Sequence, residues 1–298
     1  MTVALAERAV RVRTPATSAN LGPGFDALGL AVGLYDEVTA RVADGVSIAV
    51  DGEGQDVPRD ESHLVVRAMR TTFDRLGGQP RGLALECTNR IPHGRGLGSS
   101  ASAIVAGVLL ARGLVEGGAD LLPTADVLRL AAEIEGHPDN VAACVLGGLT
   151  VAWTDGSGSH AVRVPITGVD PVLLVPPFES STKAARGLLP AAVSHADASF
   201  AAGRAALLVA CLAGGADALL PATEDRLHQD YREPVMPESI ALVHSLRADG
   251  LPAVVSGAGP TVLVLARGDV EVERAAARVP SGWVAHRLPV DAAGATEL

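Results

Sequence analysis

The chain is poor in lysine, cysteine and aromatic residues, and these shortages exclude several classes of protein. Lys183 is the only lysine in 298 residues, so the chain has no phosphate-binding loop of the Gly-Lys-Ser/Thr type. Lysine and arginine together number 24 against 34 acidic residues, and the net charge of −10 argues against nucleic acid as a partner. Cys87, Cys144 and Cys211 are far apart and odd in number, which favours reduced core residues over disulfides or a metal site.

Long apolar segments are missing as well. The longest runs, near residues 101–111 and 205–213, fall short of the ~20 apolar residues that a membrane-spanning helix needs. The N-terminal residues reach Glu7 and Arg8 before the apolar core of a signal peptide can form. These features predict a cytoplasmic protein without a membrane partner. Because aromatic residues make up only 3% of the chain, its core must consist of Ala, Val and Leu.

A glycine-rich loop that leads into an apolar helix stands out in what remains. Gly94, Gly96 and Gly98 alternate with larger residues, so the backbone there can adopt positive φ and approach a ligand closely. We expect a helix over residues 99–113, capped by the hydroxyls of the two serines that begin it. Free N–H groups at a helix start attract anions, and this favours a phosphate site. The alternative is a strand-to-helix turn that binds no ligand.

Two further polar stretches have a composition that suggests function. Residues 15–26 contain two glycines, two prolines and several short polar side chains, which fits a functional loop and a structural Ω-loop equally well. Glu133 and Glu135 end a helix predicted over residues 123–135, where acidic side chains oppose the helix dipole by ~0.3–1 kcal/mol each. A bound cation would offset that cost.

Hydrophobic periodicity predicts a mixed α+β chain. Alternating or continuous apolar residues predict strands at 8–14, 38–42, 46–50, 83–87, 149–153, 172–175, 253–256, 261–266 and 283–288. Spacings of three to four residues predict helices at 61–76, 99–113, 123–135, 180–186, 198–212 and 270–279. We expect residues 43–45 to join two strands as a hairpin and Thr124 to cap a helix. A Gly-Ser-Gly stretch at 156–158 predicts a domain boundary, to within about ten residues.

Three motifs, in order along the chain, resemble those of the GHMP kinase superfamily. Residues 15–26 resemble its N-terminal motif, residues 92–102 its ATP loop and residues 256–261 its C-terminal glycine motif. Within the superfamily, stretches at 18–26, 136–140 and 181–186 are similar to the homoserine kinases. The resemblance implies an α+β, two-domain fold with ATP and substrate between the domains. Residues 1–158 would form a ribosomal-protein-S5-domain-2-like domain and residues 159–298 a ferredoxin-like α/β sandwich.

The resemblance also implies a reaction, the ATP-dependent phosphorylation of the side-chain hydroxyl of L-homoserine in threonine biosynthesis. This substrate carries a carboxylate, an ammonium and a hydroxyl, and each needs a partner. Arg186 and Arg232 match the family's carboxylate clamp, and Asp26 matches its ammonium partner. The other residues that match its substrate site are Asn20, His137, Asn140, Thr182 and Gly259.

For the nucleotide, the resemblance implies contacts along the whole glycine loop. The matching residues are Pro92, His93, Gly94, Arg95, Gly96, Leu97, Gly98, Ser99, Ser100, Ala101 and Ser102. His63 stands where many relatives have an asparagine near the adenine. Without a lysine, the charge on the phosphates requires Mg²⁺. The family's metal ligands match Glu135 with Ser99 or Ser100, and Glu133 is the alternative carboxylate.

The catalytic set implied by the resemblance is Asn140, Ser99 and Glu135, and it contains no strong base. Asn140 stands where mevalonate-kinase-like members have an aspartate, and we expect the neighbouring Asp139 to point elsewhere. Positioning and charge stabilisation would then carry the rate. Two other functions fit the motifs: a sister kinase for another small alcohol, such as a sugar or a mevalonate-like substrate, and a non-catalytic ligand sensor. Relatives are often dimers, so a homodimer is compatible with the resemblance.

Overall fold

The strands of the computed structural model, which describes residues 3–298, form two separate sheets. Residues 1 and 2 of the predicted first domain lie outside the described residues. The strands are β1 (Val10–Ala19), β2 (Leu28–Ala43), β3 (Ser47–Gly52), β4 (Gly82–Asn89), β5 (Leu149–Asp155), β6 (Gly158–Val164), β7 (Asp170–Val175), β8 (Ala253–Val255), β9 (Val262–Ala266), β10 (Val284–Arg287) and β11 (Thr296–Glu297). One sheet has the order β11-β1-β2-β4-β3, with β5 on β2 and β6 on β5, and the other has the order β10-β7-β9-β8.

Helices cover the sheets, and small aliphatic side chains fill the space between. The helices are α1 (Leu64–Leu76), α2 (Ser99–Gly113), α3 (Gly118–Leu121), α4 (Thr124–Glu135), α5 (Asp139–Leu146), α6 (Thr182–Gly187), α7 (His195–Leu212), α8 (Leu219–Ala222), a 3₁₀ helix (Asp230–Val235), α9 (Pro237–Ala248) and α10 (Gly268–Ala276). Helix α2 is buried over most of its surface, which explains why it is apolar all round. A second apolar cluster joins the two halves of the chain, with Leu21 and Leu97 from the first and Leu173 and Leu263 from the second.

The second sheet confirms the ferredoxin-like prediction. Its four strands are antiparallel to their neighbours, and the chain runs through them as β7, helices, β8, β9, α10 and β10. This is the split βαββαβ arrangement, in which the first and third strands lie in the centre of the sheet. Residues 253–266 therefore form a hairpin whose turn carries the C-terminal glycine motif.

The predicted hairpin at residues 38–50 is wrong. Strand β4 lies between β2 and β3, antiparallel to β2 and parallel to β3, and α1 provides the crossover from β3 to β4. The connection between β2 and β3 instead crosses the start of β4. The two backbones are so close there that a Cβ on Gly82 would lie 2.3 Å from the backbone nitrogen of Gly45. The turn was correctly located, but strand pairing depends on contacts distant in sequence.

The Gly-Ser-Gly stretch is a hairpin turn inside the first sheet. Strands β5 and β6 pair across it, from Asp155 with Gly158 to Leu149 with Val164. A boundary at residue 158 therefore cuts one sheet, and we propose that the division falls at residues 165–169. The end of the chain also returns to the first sheet, where Asp291 N–H donates to Ala31 O and β11 pairs with β1.

Two local predictions also need correction, and one helix was not predicted. Residues 15–19 continue β1 instead of forming a loop, because they pair with residues 29–35 of β2. Thr124 is the first helical residue of α4, whose N-cap, Pro123, makes no side-chain hydrogen bond. Residues 139 and 140, for which no helix or strand was predicted, begin helix α5. Within residues 3–298, none of the helices combines the length and apolarity needed to cross a membrane.

Candidate active site

The glycine loop lies between β4 and α2, and a buried carboxylate holds its start. Asp36 accepts the backbone N–H groups of Arg90 at 2.6 Å and Ile91 at 2.9 Å. Burial raises the pKa of Asp36, and these two hydrogen bonds act against that shift. All three alternating glycines, at 94, 96 and 98, have positive φ, as predicted. The loop backbone therefore has the conformation that only glycine adopts without strain.

The serine hydroxyls do not cap α2, contrary to the sequence prediction. The helix begins at Ser99, but its N-cap residue is Gly98 and no side chain caps it. Ser100 Oγ instead donates to Glu135 Oε1 at 2.5 Å. A helix start without a side-chain cap leaves its first N–H groups for a ligand.

The second half of the chain packs directly on the loop. A Cβ on Gly96 would lie 2.3 Å from the carbonyl oxygen of Ser256. Ser256 Oγ donates to Gly96 O at 2.7 Å and lies 2.8 Å from Ser18 Oγ. The N-terminal motif, the glycine loop and the C-terminal motif therefore meet at one point.

A cavity of about 460 Å³ opens beside this meeting point. It is lined by Asn20, Asp26, Gly94, Gly96, Gly98, Ser99, Ser100, Glu135, His137, Asp139, Asn140, Ser180, Ser181, Thr182, Arg186, Arg232, Gly257 and Ala258. These residues come from six separate stretches of the chain. The cavity brings together the catalytic set, the metal set and all of the predicted substrate residues except Gly259.

Acidic residues form one wall of this cavity. The carboxylate of Glu135 is only 8% exposed, and burial raises its pKa, while the hydrogen bond from Ser100 lowers it. His137 Nδ1 lies 2.9 Å from Asp139 Oδ1, and this hydrogen bond raises the pKa of His137. Asp139 also lines the cavity, contrary to the prediction that it points elsewhere. Glu133 is exposed and lies outside the cavity, which favours Glu135 of the two glutamates.

A hydrogen bond inside the protein orients the side-chain amide of Asn140 towards the cavity, with its nitrogen free of hydrogen bonds to residues 3–298. Its Oδ1 accepts the hydroxyl hydrogen of Thr17 at 2.8 Å. The amide nitrogen has two hydrogens and no acceptor capacity. The side chain therefore offers hydrogen-bond donors, and no base, to whatever lies beside it.

An ion pair and a buried arginine form the basic part of the cavity. Arg186 donates to both carboxylate oxygens of Asp26, at 2.6 and 2.9 Å. Asn20 accepts the backbone N–H of Asp26 and donates to the carbonyl oxygen of Gly257, which fixes the loop that carries the aspartate. Arg232 is 1% exposed, and burial, with Arg186 next in effect, lowers its pKa to about 10. It therefore remains a cation at neutral pH.

A second cavity, of about 270 Å³, shares Ser99 and Ser100 with the first. It is lined by Asp36, Val38, Val57, Pro58, Ser62, His63, Leu64, Val65, Cys87, Asn89, His93, Ser99, Ser100, Ser102, Ala103 and Ala106. Burial lowers the pKa of His63, and its Nδ1 has no hydrogen-bond partner among residues 3–298. A largely apolar cavity with a few polar atoms suits a planar heterocycle.

Some predicted residues shape the site without facing it. Arg95 donates to the carbonyl oxygens of Pro176 and Pro177, so it fixes the loop to the second half and does not face either cavity. Gly259 lies behind Gly96, and its neighbours at 257 and 258 line the cavity in its place. Among the residues predicted to bind the nucleotide, Pro92, Leu97 and Ala101 also line neither cavity. The sequence prediction also missed Ser181, which belongs to the stretch at 181–186, and Ser180, which precedes it.

Gly98→Ala is expected to lower kcat/KM for the nucleotide by about 100-fold and to destabilise the protein. A Cβ there would lie 2.0 Å from Thr17 Oγ1, at a φ of 70°. Gly117→Ala is the matched control, because Gly117 is also a helix N-cap at φ 70° but has nothing within 4 Å of the added carbon. Steady-state kinetics and thermal unfolding of both variants measure the difference. Equal losses would mean that backbone strain, and not the contact with Thr17, accounts for the effect.

Comparison with known proteins finds similarity over nearly the whole chain. The family model of the GHMP kinases N terminal domain matches residues 63–148, and that of the GHMP kinases C terminal region matches residues 207–285. The homoserine kinase of Streptomyces avermitilis is 59% identical over 97% of this chain and 96% of its own. The homoserine kinase of Streptomyces coelicolor is 59% identical over 97% of this chain and 94% of its own. The crystal structure of homoserine kinase from Cytophaga hutchinsonii has a TM-score of 0.83 at 26% identity and covers 100% of this chain and 99% of its own.

Proposed function

We propose, because this chain belongs to the GHMP kinase family, that it transfers the γ-phosphoryl group of ATP to the side-chain hydroxyl of L-homoserine. The products are O-phospho-L-homoserine and ADP, and the reaction is a step of threonine biosynthesis. One observation carries the proposal: the glycine loop, two arginines and an aspartate line a single cavity. A phosphoryl donor and a zwitterionic amino acid can therefore be held side by side in it.

The two cavities suggest how ATP binds. Ser99 and Ser100 line both of them, so a nucleotide can place its base in the smaller cavity and its phosphates on the first turn of α2. The neutral imidazole of His63 offers the base one nitrogen that is not bonded to protein. A polar ring in a largely apolar cavity supports adenine binding there.

The donor set beside the loop fits Mg²⁺. Glu135 supplies a carboxylate and Ser100 a hydroxyl, and both are hard oxygen ligands. Within the described part of the chain, no three His, Cys, Asp or Glu side chains form a group that could hold a metal ion. Mg²⁺ usually binds through one or two carboxylates together with substrate phosphates and water, so a single protein carboxylate agrees with it. When bound with ATP, the ion would neutralise charge on the transferred phosphoryl group.

The residues around the hydroxyl support a mechanism without a strong base. Asn140 is a neutral amide, and Oδ1 of Asp139 already accepts from His137 and from the backbone N–H of Asn140. The protein would therefore orient the homoserine hydroxyl in line with the phosphoryl group and stabilise charge on the donor. Phosphoryl transfer passes through a loose transition state, in which the attacking hydroxyl needs little help from a base.

Purified protein with ATP and Mg²⁺ is expected to release ADP on addition of L-homoserine, at least 100-fold faster than with galactose or mevalonate. Neither alcohol carries the ammonium that Asp26 would bind, and galactose also lacks a carboxylate for Arg186 and Arg232. A coupled assay of ADP release over homoserine, serine, threonine, galactose and mevalonate measures the preference. The substrate assignment would be overturned if homoserine released ADP no faster than buffer while another alcohol released it faster.

The same assay across pH tests the mechanism. The Asp139→Asn variant is expected to keep the shape of the wild-type pH–rate profile, although its kcat falls because the hydrogen-bond partner of His137 loses its charge. A steep limb in the wild type that this variant lacks would identify Asp139 as the base.

A cytoplasmic location and a homodimer remain predictions. The first rests on the apolar pattern of the sequence and the second on the family resemblance alone.

A further inference from the structure

A fully buried imidazole, His228, lies between the two parts of the cavity that would hold the amino acid. Its exposed fraction is 0%, and it belongs to neither cavity lining. Nε2 lies 2.7 Å from the carbonyl oxygen of Gly22, and Nδ1 lies 3.2 Å from Nη1 of Arg232. The ring also stacks on Phe25, with centroids 5.1 Å apart and planes at 25°. One side chain therefore touches the loop that carries Asp26 and the arginine expected to bind the carboxylate.

The two hydrogen-bond partners fix the protonation state of the ring. A guanidinium only donates, so Nδ1 must accept from Arg232, and a carbonyl only accepts, so Nε2 must carry the hydrogen. His228 is then neutral. Burial, the largest effect, lowers its pKa, and Arg232 lowers it as well, while Asp225 raises it. These effects favour the neutral form at physiological pH.

In the part of the chain that the structure describes, the protein uses only one of the three guanidinium nitrogens of Arg232 for hydrogen bonds. Its Nη1 donates to the carbonyl oxygen of Gly257 at 3.0 Å and to His228. Its buried Nε has no hydrogen-bond partner among residues 3–298. The contacts through Nη1 therefore hold the guanidinium in place while its remaining N–H groups stay available for a carboxylate.

We propose that His228 is a positioning residue that sets Arg232 against the Asp26 loop, and thereby sets selectivity for the carboxylate of the amino-acid substrate. The inference rests on the proposed homoserine site. The ring spans Gly22 and Arg232, so the spacing between the ammonium partner and the carboxylate partner depends on its geometry. A guanidinium that tilts loses the alignment of its donors with the carboxylate.

Two substitutions separate the two contacts of the ring. His228→Gln can still donate from its amide to Gly22 O but removes the acceptor near Nδ1, and it is expected to raise the KM for homoserine about tenfold. The kcat and the KM for ATP are expected to stay within about twofold. His228→Asn can keep an acceptor near Nδ1 but loses the donor to Gly22 O, so its KM for homoserine is expected to rise by only about threefold, less than in His228→Gln.

Competitive inhibitors identify the charge that is affected. 4-Hydroxybutyrate keeps the carboxylate of homoserine and 3-aminopropan-1-ol keeps the ammonium. In His228→Gln, the inhibition constant of the first is expected to rise about tenfold while that of the second stays within about twofold. Equal shifts for both inhibitors would show a general loss of structure and overturn the proposal.

A double-mutant cycle with Arg232→Met completes the test. His228→Gln is expected to add no further loss in that background, because it acts through the arginine. Additive losses in an active enzyme overturn the role of His228 and leave the proposed function intact. A wild type that ignores homoserine overturns both. Nitrogen NMR of the wild type needs no variant, and a charged ring or an Nδ1–H tautomer at neutral pH would also overturn the proposal.

Discussion

Glu135→Gln is expected to lower kcat by about 10³-fold, the largest loss among the substitutions considered. The carboxylate lies beside the first turn of α2, where the phosphates and Mg²⁺ are proposed to lie, and it is the acidic group bonded to Ser100. Glutamine has almost the same shape and can still accept from Ser100, so the change removes charge without removing volume. Kinetics over a range of Mg²⁺ concentrations are expected to show weaker apparent metal binding together with the lower kcat.

Glu133→Gln is the control for this prediction. Glu133 lies on the same helix, two residues earlier, but it is exposed and outside the cavity. Its substitution is expected to change kcat by less than twofold, because screened surface charges contribute little. A loss at Glu133 as large as that at Glu135 would contradict the assignment of the metal ligand. A normal response to Mg²⁺ in Glu135→Gln would contradict it as well.

Asp26→Asn is expected to reduce kcat/KM for homoserine by about 10²–10³-fold and to leave the KM for ATP nearly unchanged. The substitution removes the negative charge proposed to face the substrate ammonium, and it leaves Arg186 without its bidentate partner. Loss of a charged partner in a partly buried site is costly because the remaining charge is left without compensation. Initial rates at varied homoserine and varied ATP separate the two effects.

Asp197→Asn provides a matched control for Asp26. Asp197 pairs with Arg226 at 3.5 Å, and its side chain is 33% exposed, against 35% for Asp26. Its substitution is expected to leave the kinetics unchanged, because this pair lies outside the cavity. A comparable rise in the KM for homoserine in both variants would remove Asp26 from the substrate site. A rise in the KM for ATP alone would place Asp26 beside the nucleotide.

The sequence was most informative where structure depends on neighbours along the chain. Alternating glycines at 94–98 require positive φ, and the structure has it at all three positions. The helix that follows begins at the predicted residue, Ser99. The role of its serines was wrong, since a hydroxyl that could cap the helix bonds to Glu135 from another helix instead. The partner of a side chain depends on which groups the fold brings near it, and the local sequence pattern does not contain that information.

Predictions that depended on distant pairing failed for the same reason. The turn at 43–45 has the composition of a hairpin, but β4 lies between the strands that it joins. Residues 15–19 look like a loop, yet they extend β1 because β2 pairs with them. His228 gave no signal at all, since a single histidine in a polar stretch has no pattern that links it to Gly22 or Arg232. The recognised motifs therefore predicted most residues that line the cavity. Residues packed behind the lining could be identified only from the structure.

The return of the C-terminus to the first sheet has a consequence for how the protein is made. Residues 289–298 bond to β1, β2 and helix α5, through Pro289 O with Gly33 N–H, Ala295 N–H with Cys144 O and Leu298 N–H with Arg11 O. The first half of the chain emerges from the ribosome long before these residues do. That sheet is therefore complete only after residues 289–298 have been synthesised, and until then the edge of β1 that pairs with β11 stays open.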